Sequence, residues 1–123
     1  MPVSKDLTAQ QPIPSSWRST FAAIGTALKE QDFSLNRSIP GVPSLSPADA
    51  EAIQANIVDY GAQWVCVTEQ SWLTSVCQWM DGYWEALVDL ATDDGPSDLV
   101  LAARVTERGE DRYQFTVQMV YVP

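Results

Sequence analysis

Two alternating segments of the chain meet at the dipeptide Asp81-Gly82. Apolar and polar side chains alternate along residues 72 to 80, and they alternate again along residues 83 to 92. Asp-Gly between two alternating runs favours a two-residue type I′ turn and hence a β-hairpin. A loop of fixed length also sets the register, because a slip of one residue would turn every side chain to the opposite face of the sheet. The sequence therefore predicts an antiparallel hairpin with a defined core face.

This register places Met80 opposite Tyr83. The core face then carries three pairs, Trp79 with Trp84, Cys77 with Ala86, and Ser75 with Val88. The outer face carries Gln78 with Glu85, Val76 with Leu87, and Thr74 with Asp89. Aromatic pairs directly across two strands stabilise a sheet, so we expect the two tryptophans to pack together in the core.

Two further strands are predicted after the hairpin. The acidic turn 93–97 leads into a strand over residues 98–107, and the turn 108–111 leads into a strand over residues 112–122. Alternation places five side chains of the last strand on one face, namely Tyr113, Phe115, Val117, Met119 and Tyr121. The four strands follow one another in the chain, as in a meander.

The first half of the chain has the helical period instead. The residues that recur at spacings of three and four are Trp17, Phe21, Ile24 and Leu28. They predict an amphipathic helix ending near Glu30. Ser46 and Pro47 are typical of an N-cap and a first helical turn, and Gly61 is typical of a helix end. The buried face of this second helix is predicted to comprise Ile53, Ile57 and Tyr60.

Together these elements predict an α+β fold in which two N-terminal helices pack on a four-stranded antiparallel meander. A chain of 123 residues is long enough for one domain with its own core. We expect residues 1–13 to be flexible, residues 14–61 to form the helical half and residues 71–123 to form the sheet.

The charge of the chain is strongly uneven. Between Arg37 and Arg104 it contains no Lys, Arg or His but ten acidic residues, Asp49, Glu51, Asp59, Glu69, Asp81, Glu85, Asp89, Asp93, Asp94 and Asp98. The net charge is −9; residues 61–123 hold ten acids against three arginines, a net of −7, and residues 1–60 hold six acids against four cations, a net of −2. Such a field attracts cationic partners and repels nucleic acid and anionic membranes. Solubility alone is the simpler explanation of the charge.

The sequence favours a cytoplasmic location. No segment approaches the roughly 18 apolar residues of a membrane span, and the first residues lack the apolar region of a signal peptide. Cys66 and Cys77 have neither the spacing nor the histidines of a zinc site. Both are expected to be free in a reducing compartment, although the sequence leaves open whether they ever pair.

No pattern indicates catalysis. The absence of His removes the commonest general base and metal ligand. Glu85 and Asp89 would lie about 13 Å apart along one strand face, beyond the usual separation of glycosidase carboxylates. The acidic turn at residues 93–98 lacks the alternating ligands and the distal glutamate of a calcium loop. We therefore predict that the protein is not an enzyme and holds no metal and no cofactor.

The tryptophans suggest an alternative function. Four of them fall within a short stretch, Trp64, Trp72, Trp79 and Trp84. Exposed tryptophan rings can stack on sugars or on cations. Alternation places Trp79 and Trp84 in the core and Trp72 on the outer face. A small-ligand or carbohydrate-binding domain built on this cluster is therefore the alternative to a protein-binding function.

The hairpin also carries a resemblance. Its segment W-M-D-G-Y-W-E-A-L-V-D-L at residues 79–90, with the later segments Ser97-Asp-Leu-Val-Leu and Val-Tyr-Val-Pro, resembles a family of small uncharacterised bacterial domains. Because some members lie near polymorphic toxin genes, the resemblance implies a role like that of an immunity protein. Small, acidic, non-catalytic proteins of this kind neutralise a basic toxin by covering its site.

Charge and resemblance together predict an acidic protein-binding module that occludes the active site of a cationic bacterial toxin in interbacterial competition. The predicted charged contacts are Asp81, Glu85, Asp89, Asp93, Asp94 and Asp98, and the predicted aromatic anchors are Trp72 and Tyr83. The expected partner is a cognate basic toxin or effector protein, with no nucleic acid and no membrane, and the protein is expected to be a monomer or a weak homodimer. The identity of the toxin, and binding to its active site or to an exosite, stay open.

Overall fold

A computed structural model describes residues 3–123. The helices are α1 (Ser15–Lys29), α2 (Pro47–Tyr60) and α3 (Ser71–Thr74), and the strands are β1 (Gln11–Pro12), β2 (Val65–Cys66), β3 (Val76–Trp79), β4 (Trp84–Thr92), β5 (Gly95–Gly109) and β6 (Arg112–Tyr121). Over these residues the fold is α+β, as predicted, but it has three helices and a six-stranded antiparallel sheet instead of two helices and four strands. No helix in this range is long and apolar enough to cross a membrane.

The sheet contains the predicted meander and two short additions. Its strand order is β1-β3-β4-β5-β6, and β2 pairs with the end of β4. The hairpin register is confirmed, since Trp79 lies opposite Trp84 and the Met80 N–H donates to the Tyr83 carbonyl oxygen at 2.7 Å. Asp81 and Gly82 both have positive φ angles, 60° and 131°, as a type I′ turn requires.

The first strand of the hairpin begins later than alternation predicted, because Ser71–Thr74 form α3. Ser71 Oγ accepts a hydrogen bond from the Thr68 N–H at 3.0 Å, and Ser75 Oγ donates to the Ser71 carbonyl oxygen. Such local side-chain bonds to the backbone compete with strand pairing. Trp72 is consequently 9% exposed and packs in the core, so its predicted position on an outer strand face is wrong.

A β-bulge changes the buried face of β6. The β5–β6 register shifts after Ala102, which leaves Gln118 as an extra residue on β6. An extra residue turns the following side chains over. Beyond the bulge Val120 is fully buried, while the register assigns Met119 and Tyr121 to the opposite face. The prediction that these two residues continue the face of Phe115 is therefore wrong.

Helix α1 packs on the sheet through the apolar face that its period predicts. Trp17 is the centre of an aromatic cluster, with ring centroids 5.5 Å from Trp84, 5.4 Å from Tyr113 and 5.9 Å from Phe115, all in edge-to-face orientation. Pairs of this kind contribute roughly 0.5–1.5 kcal/mol each beyond the burial of their area. The cluster therefore joins α1 to the hairpin and to β6.

Helix α2 begins and ends where the sequence predicts. Ser46 Oγ accepts from the Asp49 N–H at 3.2 Å at the first turn, and Gly61 adopts φ 92° at the end. The predicted burial of Tyr60 is wrong, since this side chain is 39% exposed. Its hydroxyl oxygen accepts from the Asp98 N–H at 3.2 Å. The last turn of α2 thus contacts the start of β5 instead of the core.

The segment before α1, which we expected to be flexible, contributes to the sheet. Gln11 pairs with Cys77 and Pro12 with Val76 in β1, and Ile13 is buried. Residues 1 and 2 lie outside the described residues.

Burial raises the pKa of the Cys77 thiol to about 12. Both cysteines are free, as the sequence predicts.

The free edge of β6 is covered at two points. The Phe115 N–H donates to the Gly41 carbonyl oxygen at 2.8 Å, and Asn56 Nδ2 of α2 donates to the Val120 carbonyl oxygen at 2.9 Å. Covering an edge removes a template for pairing with another chain. The loop at residues 39–43 and helix α2 therefore protect this side of the sheet.

Candidate functional site

The structure divides the predicted contact residues into two groups. The hairpin group contains Asp81, Tyr83 and Glu85, and the second group lies around the β4–β5 turn and contains Asp89, Asp93, Asp94 and Asp98. Trp72 belongs to neither group because it is buried. The predicted charged contacts therefore lie toward the two ends of β4, with Glu85 and Asp89 four residues apart on that strand.

The hairpin group is partly compensated by a cation of the same chain. The Arg104 guanidinium lies over the Tyr83 ring, 4.6 Å from its centroid. Arg104 also lies directly opposite Glu85 in the sheet. The aromatic ring and the carboxylate that were expected to meet a cationic partner thus already lie beside a cation.

Asp89 and Asp98 of the second group line a cleft of about 640 Å³, whereas Asp93 and Asp94 are not among its lining residues. This acidic cleft lies between α3, the end of β4, the start of β5 and the end of the chain, and its lining includes Leu73, Thr74, Asp89, Asp98, Val100 and Val122. None of the residues that line it is a Lys or an Arg. The acidic cleft therefore combines two carboxylates with apolar side chains and has no cation in its walls.

Two of these apolar side chains are unusually exposed. Leu73 of α3 is 82% exposed and Val122 is 51% exposed, whereas Val100 of β5, which also lines the cleft, is buried. Exposed apolar side chains grouped with polar ones are typical of protein interaction sites. The acidic cleft thus combines exposed apolar side chains with charged ones, as protein interfaces do.

Local hydrogen bonds determine the positions of the two acids. The Asp89 N–H donates to Ser75 Oγ at 2.8 Å, and the Asp89 carboxylate accepts from Thr74 Oγ1. The Asp98 N–H is held by the Tyr60 hydroxyl, while the Asp98 side chain accepts no hydrogen bond from residues 3–123. Asp89 is therefore oriented by α3, and Asp98 is free to contact a partner.

The remaining two acids differ in role. Asp93 Oδ1 accepts from the Gln63 N–H at 2.8 Å, so its carboxylate joins the segment after α2 to the β4–β5 turn. The Asp94 N–H donates to Thr92 Oγ1 at 3.1 Å, and the Asp94 side chain is exposed. Asp93 is exposed as well, so both charges lie at the surface, but only the Asp93 carboxylate accepts a hydrogen bond from another described segment.

The ion pairs of the described residues do not involve the acidic stretch. They join Lys5 to Glu107 and Arg37 to both Glu30 and Asp32. Within residues 3–123, none of the ten acids between positions 38 and 103 takes part in one. The negative field predicted from the sequence is therefore present on the folded surface.

The groups in the acidic cleft are suited to binding. They are carboxylates, hydroxyls, the Gln70 amide and aliphatic side chains, of which the oxygen atoms bind cations and hydrogen-bond donors. No group of three or more metal-ligating side chains occurs in residues 3–123.

The sequence analysis missed three residues of this region: Leu73, Tyr60 and Val122. Alternation placed Leu73 on the core face of a strand, but α3 turns it outward. The spacing of the hydroxyls at Ser71 and Ser75, with Thr68 before them, is the one signal that indicates a turn there. Nothing local indicates that Tyr60 and Val122 lie near Asp98, because they come from distant segments.

Residues 26–123 match a protein-family model described as a domain of unknown function, DUF7668. The match begins in the last turn of α1 and includes α2, α3 and strands β2 to β6, and hence the whole acidic cleft. No curated protein and no solved structure matches the chain.

Proposed function

The chain belongs to the DUF7668 family, and we propose that it is an acidic protein-binding module that neutralises a cationic bacterial effector, as immunity proteins do. The observation that carries this proposal is the composition of the acidic cleft. Asp89 and Asp98 line the same cleft as the exposed side chains of Leu73 and Val122, and no cation lines it.

A Lys or Arg side chain of the partner fits this arrangement. Its aliphatic part would lie against Leu73 and Val122, and its charged group would bind the carboxylates of Asp89 and Asp98. A basic effector that inserts such a residue loses access to its own anionic substrate. The uncompensated field also accelerates the encounter. We place this interaction in the cytoplasm.

Solubility alone does not account for the cleft. Acidic side chains improve solubility, but the exposed Leu73 and Val122 beside them oppose it. An interface explains both features, because apolar contacts contribute affinity while charges contribute specificity and rate.

The alternative function, stacking of a small ligand or carbohydrate on the tryptophans, has less support. Trp84 is 0% exposed, and the Trp79 ring packs 4.7 Å from it. The Trp72 ring faces the Arg18 guanidinium at 5.5 Å. These aromatic rings already contact other side chains of the domain, so their faces are not open for a ligand to stack on.

The test uses a candidate basic effector, in a catalytically inactive form, titrated calorimetrically with variants of this protein. Asp98→Lys and Leu73→Ser should each weaken binding by at least about thirtyfold, because a reversed charge or a lost apolar contact at an interface centre costs several kcal/mol. Thermal melting should change little, since exposed charges contribute under about 1 kcal/mol to stability.

Two matched controls make the same charge change elsewhere. Glu51→Lys lies on the exposed face of α2, and Glu85→Lys lies in the hairpin group. Both should keep affinity within about threefold of wild type, the size of a screened long-range effect. Equal losses of affinity for Asp98→Lys and Glu51→Lys would show that only the net charge of the protein affects binding. The acidic cleft would then not be the surface that contacts the effector. Failure of the wild type to bind the effector would overturn the immunity role.

A further inference from the structure

A second, larger cavity of about 920 Å³ lies at the other end of β5 from the acidic cleft. It is bounded by the first turns of α1, the loop at residues 39–43 and the β5–β6 hairpin. Its apolar walls include Trp17, Ile39, Val42, Tyr113 and Phe115. Cavities of about 300–1,000 Å³ with mainly apolar walls and a few polar groups are typical of small-molecule sites.

The charge of this cavity is opposite to that of the rest of the protein. Arg108 and Arg112 line it, in a chain whose net charge is −9. Neither arginine forms an ion pair within residues 3–123, and Arg108 Nε donates only to the neutral Gln114 amide, at 3.3 Å. Asp111 also lines the cavity and is the one carboxylate among its lining residues.

The other cations of the chain are already engaged. Lys5 and Arg37 form the ion pairs of the described residues. Arg18, Lys29 and Arg104 lie over aromatic rings, at 5.5, 4.5 and 4.6 Å from the centroids of Trp72, Trp64 and Tyr83. Arg108 and Arg112 are therefore the cations that remain available, and both belong to the same cavity.

Hydrogen-bond donors add to this positive character. Trp17 Nε1 is buried and has no partner among the described residues, and Trp17 lines the cavity. No side chain caps the N-terminus of α1, whose second residue, Ser16, also lines the cavity. Tyr113 contributes a phenol, and burial, together with Glu107 and Asp111, raises its pKa despite the opposing effect of Lys5, which keeps it protonated to higher pH.

We propose that this cavity binds a small organic anion in which a carboxylate is attached to a flat apolar ring. Arg108 and Arg112 would bind the carboxylate, since guanidinium groups match its two oxygens. The ring would contact the aromatic side chains of Tyr113 and Phe115. This site is independent of the proposed partner interface, because the two lie at opposite ends of β5.

The first experiment compares two probes of equal shape, 1-naphthoate and the neutral 1-naphthamide. Each is titrated into the isotopically labelled full-length protein while backbone amide chemical shifts are recorded. Naphthoate should shift amides of residues 39–43 and 108–115 and leave those of residues 70–75 and 97–100 unchanged. Naphthamide should bind at least about fivefold more weakly, because it lacks the charge. Equal binding of both probes, or no shifts in the first two segments at millimolar naphthoate, would overturn the proposal.

The second experiment tests the two arginines. The double variant Arg108→Gln, Arg112→Gln should bind naphthoate at least about tenfold more weakly, whereas Arg104→Gln, the matched control on the outer face of β5, should change affinity less than about twofold. Thermal melts establish that both variants are folded. Unchanged binding by the double variant would contradict the site. Asp98→Lys should bind naphthoate like the wild type, so that failure of the partner interface and failure of this site can be told apart.

Discussion

At the scale of single residues, Asp32 illustrates how one carboxylate organises a loop. After α1, its two oxygens accept from the Asn36 N–H at 3.0 Å and from the Arg37 N–H and Nε, both at 3.2 Å. The enclosed Leu35 is buried and has φ 54°, a conformation that is uncommon for a non-glycine residue. The hydrogen bonds of Asp32 hold this turn, and the turn places Leu35 in the core.

These bonds make the stability of the fold depend on pH. Burial alone would raise the pKa of Asp32, but hydrogen bonds from Asn36 and Arg37 and the charge of Arg37 outweigh it and lower that pKa. A carboxyl whose pKa is lowered in the folded state stabilises the fold above its unfolded pKa of about 3.9, and this stabilisation is lost as the pH falls through the folded value.

We expect Asp32→Asn to lower the free energy of unfolding by about 1 kcal/mol at pH 7, the net value of a hydrogen bond or two to a charged group. The difference from wild type should shrink as the pH falls below about 4. Urea unfolding at pH 7, 5, 3 and 2 measures it, with Glu51→Gln as the control. A difference that stays constant over this range would contradict the role of the charge.

At the scale of elements, the loop at residues 39–43 depends on one glycine. Gly41 has φ 77°, and a Cβ built on it would come within 2.8 Å of the Tyr113 carbonyl oxygen. Its own carbonyl oxygen accepts from the Phe115 N–H on β6. Glycine is thus needed for the backbone conformation and for the close approach of the loop to the strand.

Gly41→Ala should therefore destabilise the protein by about 1–3 kcal/mol and increase hydrogen exchange at the Phe115 amide. Gly95→Ala is the matched control, because Gly95 also has a positive φ of 103° but nothing lies within 4 Å of its Cβ position. Denaturant unfolding and amide exchange measure both variants. Equal losses of stability at the two positions would mean that position 41 requires glycine because of its backbone conformation and not because of its contact with β6.

At the scale of the whole molecule, the two ends of β5 differ in charge. The acidic cleft lies at its start and has no cation in its lining, whereas near its end Glu107, Glu110 and Asp111 offset the charges of Arg108 and Arg112. A cationic partner is therefore attracted most strongly toward the end of the domain that holds the acidic cleft. The charge distribution orients the encounter as well as accelerating it.

Raising the salt concentration from about 0.05 to 0.5 M should slow association with the basic effector by roughly tenfold or more, while dissociation changes less, because screening acts on the encounter. Stopped-flow or surface-based kinetics measure both rates. Asp98→Lys should show a shallower dependence on salt than wild type. An association rate that is indifferent to salt would rule out electrostatic steering.

The sequence by itself determined the elements whose signals are local. The bounds of α2 follow from Ser46 and Gly61, and the hairpin register follows from Asp81-Gly82, because caps and tight turns depend on a few adjacent residues. The acidic surface was also predictable, since a run of acids without cations remains single-signed in any fold that exposes it. Asp89 and Asp98 were accordingly among the predicted contacts.

Only the tertiary structure decided which side chains share a surface. Trp72 is buried because α3 replaces the start of a strand, and Val120 is buried because a bulge shifts β6. Leu73 and Val122 meet at the acidic cleft from segments about fifty residues apart in the sequence. Contacts of this kind depend on how distant elements pack, and packing overrides the local period wherever a short helix, a bulge or an edge interrupts it.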